Sequence, residues 1–224
     1  MSSDEMIQIE DFTLRLVKSQ RARHILLKQN VKGEIILTYP RFCFKKMAIS
    51  FAKTQLPWIR THVQHAPKET IFQLHDQISL LGKNYIIQPG SFGHIDGKHI
   101  YVSGSADFCH RRVCSLAKKL LGDYIHHKAH EFGHQLNVQP ERIVLRNTSS
   151  RWGSCSSKKT LSFCWKIAFA PQEVIDYLIA HEVAHLKEMN HSDRFWKTVD
   201  LLVSNRKSAE KWLKTNGRKL QTIK

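Results

Sequence analysis

The chain has 224 residues, 42% of them apolar and 9% aromatic, enough for one large domain or two small lobes around an ordinary core. No apolar run approaches the roughly 18 residues that a membrane span needs, and the acidic, polar start MSSDEMIQIEDF is not a signal peptide. Lys and Arg number 35 against 19 acidic residues, a formal charge of +16 that attracts polyanions but specifies no binding mode, and no nucleic-acid-binding motif accompanies it.

In chain order, Phe12, Leu14 and Leu16 alternate as a half-buried strand does. HILLKQ and EIILTY flank NVKG and predict a hairpin. Met47, Phe51, Ile59 and Val63 predict helix on either side of a break at Pro57. Short strands follow around IFQLHDQISLLG and KNYIIQP; Gly90, Gly93 and Gly97 mark a loop, and HIYVSG closes the strand-rich region. Arg21, Arg23, His24 and Lys28 give this region a basic edge, either a solvated face or a polyanion contact. A long helix is expected from about Asp107 to Gln135, with Val113, Leu116, Ala117, Leu120, Leu121, Tyr124 and Ile125 on its apolar face. Cys109 and Cys114 pack within it, and His126, His127 and His130 belong to its surface. The strand RIVLR, a loop or hairpin at NTSSRWGSCSSKKT and the strand LSFCWKIAFA lead into a further helix. Ser192 caps a last helix that turns Phe195, Trp196, Val199 and Leu202 inward, and the tail from Asn205 is basic and helical at first. The pattern is α+β, with a mostly antiparallel β lobe over residues 1–104 and a catalytic α/β lobe over 105–224. Five Cys, an odd count with no CxxC pair, read as reduced thiols of a cytoplasmic protein.

The chemistry concentrates in HEVAH, His181 to His185, followed by His191. Residues four apart share a helix face, so both imidazoles can reach one ion. Glu182 sits about 100° round the helix, placed for a water beside the metal and poorly placed to ligate it. A third His outside the helix leaves a fourth tetrahedral position for water, the pattern of catalytic zinc. The context supports a buried site: Pro171 suits the first helical turn, and Val174 and Leu178 lead along one stripe into His181 and His185. Ile175 and Ile179 lead along the next into Glu182, and Asn190 suits the turn that ends the helix.

Three segments, RWGSCS (151–156), LSFCWKIAFAP (161–171) and YLIAHEVAHLKEMNHSDRFW (177–196), resemble the YgjP-like metal-dependent hydrolases, relatives of zincin metallopeptidases and of SprT-like and WLM proteases. The resemblance covers about residues 15–217 as one integrated domain and implies a zincin-like catalytic lobe. It implies one zinc ion held by His181, His185 and His191, with Glu182 as general base. One departure stands out: the family's Asn-Trp-Arg is Cys164, Trp165 and Lys166 here, and Lys is the poorer bidentate anion binder. The His spacing also equals that of metzincins, but those need Gly where this chain has Glu188, and no later Met-turn follows.

The expected activity is a zinc-dependent metallopeptidase acting on a peptide or protein, with Arg151 as a candidate oxyanion stabiliser and the strand 161–170 lining the cleft. Trp152 is expected in the core, and Asp193 either orients a ligand His or favours the start of the last helix. Two other readings are open. One is a metal-dependent pyrophosphohydrolase of nucleoside triphosphates, which the charge suits and the lack of a Gly-rich phosphate loop opposes. The other is a non-enzymatic, zinc-stabilised module associated with nucleic acid, which needs Cys155 or Cys164 as fourth ligand.

Overall fold

The computed structural model describes residues 5–30, 33–64, 68–91, 93–103 and 106–224. The chain is a mixed α+β protein in two compact units, Met1–Thr70 and Ile71–Lys224, each with its own core.

In the first unit β1 (Glu5–Ile9), β2 (Phe12–Ser19), β3 (Leu26–Gln29) and β4 (Ile35–Pro40) form one sheet in the order β1-β2-β4-β3. The β1–β2 and β3–β4 pairs are antiparallel, while β2 and β4 run parallel. Leu14 and Leu16 point to the core with Ile35 and Leu37, as their alternation requires, and meet Ala48, Ala52 and Ile59. The expected β3–β4 hairpin is present. Val31 and Lys32 of its turn lie outside the described residues, and Gly33, at φ 84°, supplies the left-handed position. Helices α1 (Lys45–Thr54) and α2 (Leu56–Gln64) part at Gln55, so Pro57 falls in the first turn of α2, where its missing N–H costs nothing.

In the second unit β5 (Gln77–Leu80), β6 (Lys83–Pro89), β7 (His94–Asp96) and β8 (His99–Val102) form a sheet in the order β5-β6-β8-β7. Ile87 and Ile100 of this sheet share a core with Leu121 and Ile125 of α3 (Ala106–Leu136). These strands therefore group with the helices that follow them, and the units part at Thr70/Ile71, not at the expected 104/105. A second sheet holds β9 (Arg142–Arg146), β10 (Gly153–Cys155) and β11 (Thr160–Cys164) in the order β10-β11-β9. The expected strand 161–170 stops at Cys164, and Trp165–Phe169 forms a short 3-10 helix, buried throughout. A continuous apolar run buries equally well as strand or tight helix, and here Leu81 N–H donates to Ala168 O (2.8 Å), locking the turn. Helices α4 (Gln172–Ala184), α5 (Asp193–Leu202) and α6 (Arg206–Gln221) complete the unit. No helix among the described residues is long and apolar enough to cross a membrane.

Candidate active site

Pro171 precedes α4 as its N-cap, and Glu173 places a negative charge in the first turn, where the helix dipole favours it. Val174, Ile175, Leu178, Ile179 and Val183 are buried, so the helix is anchored along its length and delivers its last residues to a fixed place. The helix ends at Ala184, earlier than Asn190 suggested; His185 is the C-cap but keeps αR backbone angles, φ −64° and ψ −19°. The four-residue stagger therefore survives, and the His181 and His185 rings lie 5.0 Å apart.

His191 reaches back from the α4–α5 connection, putting its Nε2 3.2 Å from Nε2 of His181. One nitrogen from each of the three imidazoles falls within 4.8 Å of the others. Two nitrogens sharing a tetrahedral ion at about 2.0–2.1 Å stand about 3.3 Å apart, so the observed separation fits a common ion. The opposite ring nitrogens are engaged. His185 Nδ1–H donates to Glu188 O (3.1 Å), which fixes the tautomer that leaves Nε2 free. His181 Nδ1 faces the Tyr177 hydroxyl at 3.5 Å, and that hydroxyl donates to Glu210 Oε1 (3.1 Å). Glu210 is held in turn by Arg206 at 3.6 Å. Phe195 floors the trio, its ring 5.0, 4.5 and 4.7 Å from those of His181, His185 and His191. Ser192 sets that floor by capping α5 and accepting from Phe195 N–H (3.4 Å). Burial, then the charges of His185 and His191, pushes His181 down to about 4; burial also lowers His185. Both rings thus favour the neutral form that ligates.

Glu182 is only 4% exposed, and burial raises its carboxyl to about 8 against the opposing pull of the Arg151 guanidinium. The carboxyl lies against β10 at Gly153, where a Cβ would overlap Oε1 and stand 2.7 Å from Cγ. The Cys155 thiol is pushed up to about 11, by burial first and the Glu182 charge second.

Of the residues read from the sequence, the structure brings His181, His185 and His191 together, and sets the Glu182 carboxyl against Gly153. Arg151 is exposed, acts on Glu182 through its charge, and makes no ion pair among the described residues. Trp152 packs in the core, 3.2 Å from where a Cβ on Gly217 would stand. Asp193 occupies the first turn of α5, and the partners of the imidazole Nδ1 atoms are Glu188 and Tyr177. Neither thiol joins the trio: Cys155 Sγ turns to Ser156 O and Cys164 Sγ to Thr148 O, which leaves a closed four-ligand site without its fourth ligand among the described residues. Lys166 is buried and donates to Gln221 O (3.0 Å), tying down the end of α6. His130 turns to Gln139 Oε1 (2.7 Å). The sequence reading missed Tyr177, although it stands one turn before His181 on the same helix face. It also missed Gly153 and Glu210, for which no local signal exists.

A family model described as "YgjP-like, metallopeptidase domain" matches residues 23–216. No curated protein matches the chain. Two solved structures are similar to part of it, both metallopeptidase zymogens. Abylysin of Pyrococcus abyssi is 23% identical, over 41% of this chain and 92% of its own, with a TM-score of 0.38. Jannalysin of Methanocaldococcus jannaschii is 25% identical, over 42% of this chain and 95% of its own, with a TM-score of 0.36.

Proposed function

The chain belongs to the YgjP-like family, and on that premise we propose that it is a zinc peptidase with His181, His185 and His191 as metal ligands and Glu182 as general base. The second unit is then the zincin-like lobe, with α4 as its HExxH helix. The observation that carries the reading is the convergence of three imidazole nitrogens within 4.8 Å, with the opposite nitrogens of His181 and His185 turned to Tyr177 and Glu188. Three imidazoles suit zinc by ligand type and leave a position open. A zinc ion held there would act as a Lewis acid, lowering the pKa of a bound water to about 7.

The chain's own groups supply the rest. Glu182, one residue on from His181 and shielded from solvent, takes a proton from the attacking water and returns it to the leaving nitrogen. Its buried carboxyl sits above the ordinary carboxylate range, which suits a group that must hold that proton between the two transfers. Arg151 lies outside the shielded site and contributes positive potential at Glu182.

Substrate is held along β10, not along the strand 161–170 as the zincin resemblance implied. β11 is paired on both sides, whereas β10 has a strand partner on one side only among the described residues. Cys164 N–H donates to Trp152 O (2.7 Å) and Ser156 N–H to Thr160 O (3.0 Å), so Trp152, Ser154 and Ser156 turn their backbone groups to β11. By alternation Gly153 and Cys155 turn theirs outward, where an extended peptide can add as a strand. A cytoplasmic setting suits the five free thiols.

The deciding experiment compares the zinc-loaded protein with Glu182→Gln on casein and, in parallel, on nucleoside triphosphates. The variant is expected to keep stoichiometric zinc and to lose at least about 100-fold in peptide turnover. Unchanged turnover sinks the general-base role, and turnover of nucleotide alone sinks the peptidase reading.

A further inference from the structure

The face of β10 turned away from Glu182 borders a cavity of about 170 Å³. Residues paired in register share a face, so Ser154 and Ser162 stand together there, with Arg146 beside them; Trp152, Gly153 and Phe163 also border the cavity. Thr148 and Arg151 complete the polar lining. The loop that carries Arg151 is pinned at three points. Thr148 Oγ1 donates to Arg151 O (2.8 Å), Cys164 N–H to Trp152 O (2.7 Å), and Cys164 Sγ to Thr148 O (3.3 Å). Two arginines and three hydroxyl-bearing residues therefore line one concavity. No Asp or Glu lines it, and neither Arg146 nor Arg151 forms an ion pair among the described residues. Such a site offers charge-assisted hydrogen bonds to an anion and no carboxylate to a cation.

An extended peptide added at the β10 edge alternates its side chains between the two faces of the sheet. If the bond to be cleaved lies beside Glu182 on the Gly153 face, the side chain of the neighbouring residue turns to the Ser154 face, at the rim of the cavity across which Arg151 and, from β9, Arg146 extend. We infer that this cavity is an acidic-residue subsite, which takes the side-chain carboxylate of an Asp or Glu in a peptide held along β10. The inference rests on the peptidase reading for the identity of its ligand and adds to it the substrate class, peptides with an acidic residue next to the scissile bond.

Binding tests the subsite separately from catalysis. Fluorescently labelled hexapeptides that differ only as Glu or Gln at each position in turn are titrated against the zinc-loaded Glu182→Gln protein, with anisotropy as readout. At one position the Glu peptide is expected to bind about 10- to 100-fold more tightly than its Gln twin, the worth of a charge-assisted contact. Arg146→Gln, at an exposed position that leaves the fold intact, lowers that ratio, and adding Arg151→Gln brings it close to one. Equal binding of the twins at every position overturns the subsite, as does a preference that Arg146→Gln leaves unchanged. Arg146-dependent binding of a nucleoside triphosphate with no preference between the peptide twins also overturns it. Turnover of the Glu peptide by the unaltered protein bears on the peptidase reading alone: if it is absent while the Arg146-dependent preference holds, the peptidase reading fails and the carboxylate site stands.

Discussion

Gly153 lets a buried carboxyl lie flat against a strand. With the Glu182 carboxyl carbon 2.8 Å from where a Cβ would be, Gly153→Ala must move either the strand or the carboxyl. The expected outcome is a kcat at least about tenfold lower with zinc content unchanged, because misplacement of a catalytic group costs orientation and not ligation. Metal analysis beside single-turnover kinetics checks it, and full activity would show that Glu182 tolerates displacement. A second residue-scale expectation concerns His181. Tyr177→Phe removes the hydroxyl between His181 Nδ1 and Glu210, and partners of this kind are worth about 10- to 100-fold in metal affinity. Competition for zinc with a chromophoric chelator measures it, and an unchanged affinity removes Tyr177 from the site. The HEVAH run was legible because its spacing is the helix repeat, and Tyr177 obeys the same rule. Gly153 and Glu210 were not legible: their roles arise from contacts across the fold, Glu210 standing 33 residues from its partner Tyr177.

Among the elements, the sheet β10-β11-β9 is where sequence pattern misleads most. LSFCWKIAFA has the apolar content of a buried strand throughout, but only Thr160–Cys164 pairs, and pairing on both sides closes it to substrate. The strand that matters, Gly153–Cys155, is short, half-buried and embedded in a Ser- and Gly-rich stretch that reads as loop. Its parity gives a test at this scale. Cys155 turns its N–H away from β11, so proline there leaves the ladder bonds of Ser154 and Ser156 in place while deleting a donor on the outer edge. Cys155→Pro is therefore expected to fold and to keep zinc, with kcat/KM for peptides down about 5- to 10-fold, the worth of one neutral hydrogen bond. Ser154→Pro, whose N–H faces β11, is expected to destabilise the protein instead. If Cys155→Pro cleaves peptides at the original rate, substrate does not run along β10.

At the scale of the molecule, the boundary between units was the least legible feature. β5–β8 follow the first unit in sequence and share its strand-rich character, but Ile87 and Ile100 bury against α3, a non-local pairing that no local pattern announces. The separate cores of the two units have a thermodynamic consequence. An ion bound by His181, His185 and His191 takes these ligands from the second unit, so it stabilises that unit by mass action, by about 2.7 kcal/mol when free zinc is 100 times the dissociation constant. Differential scanning calorimetry with zinc and then with chelator is expected to show one transition that moves with the metal, that of Ile71–Lys224, and one that does not, that of Met1–Thr70. His185→Ala should leave both transitions insensitive to zinc, since two imidazoles hold the ion far more weakly than three. A single transition that moves as a whole would mean that the two cores unfold as one cooperative body.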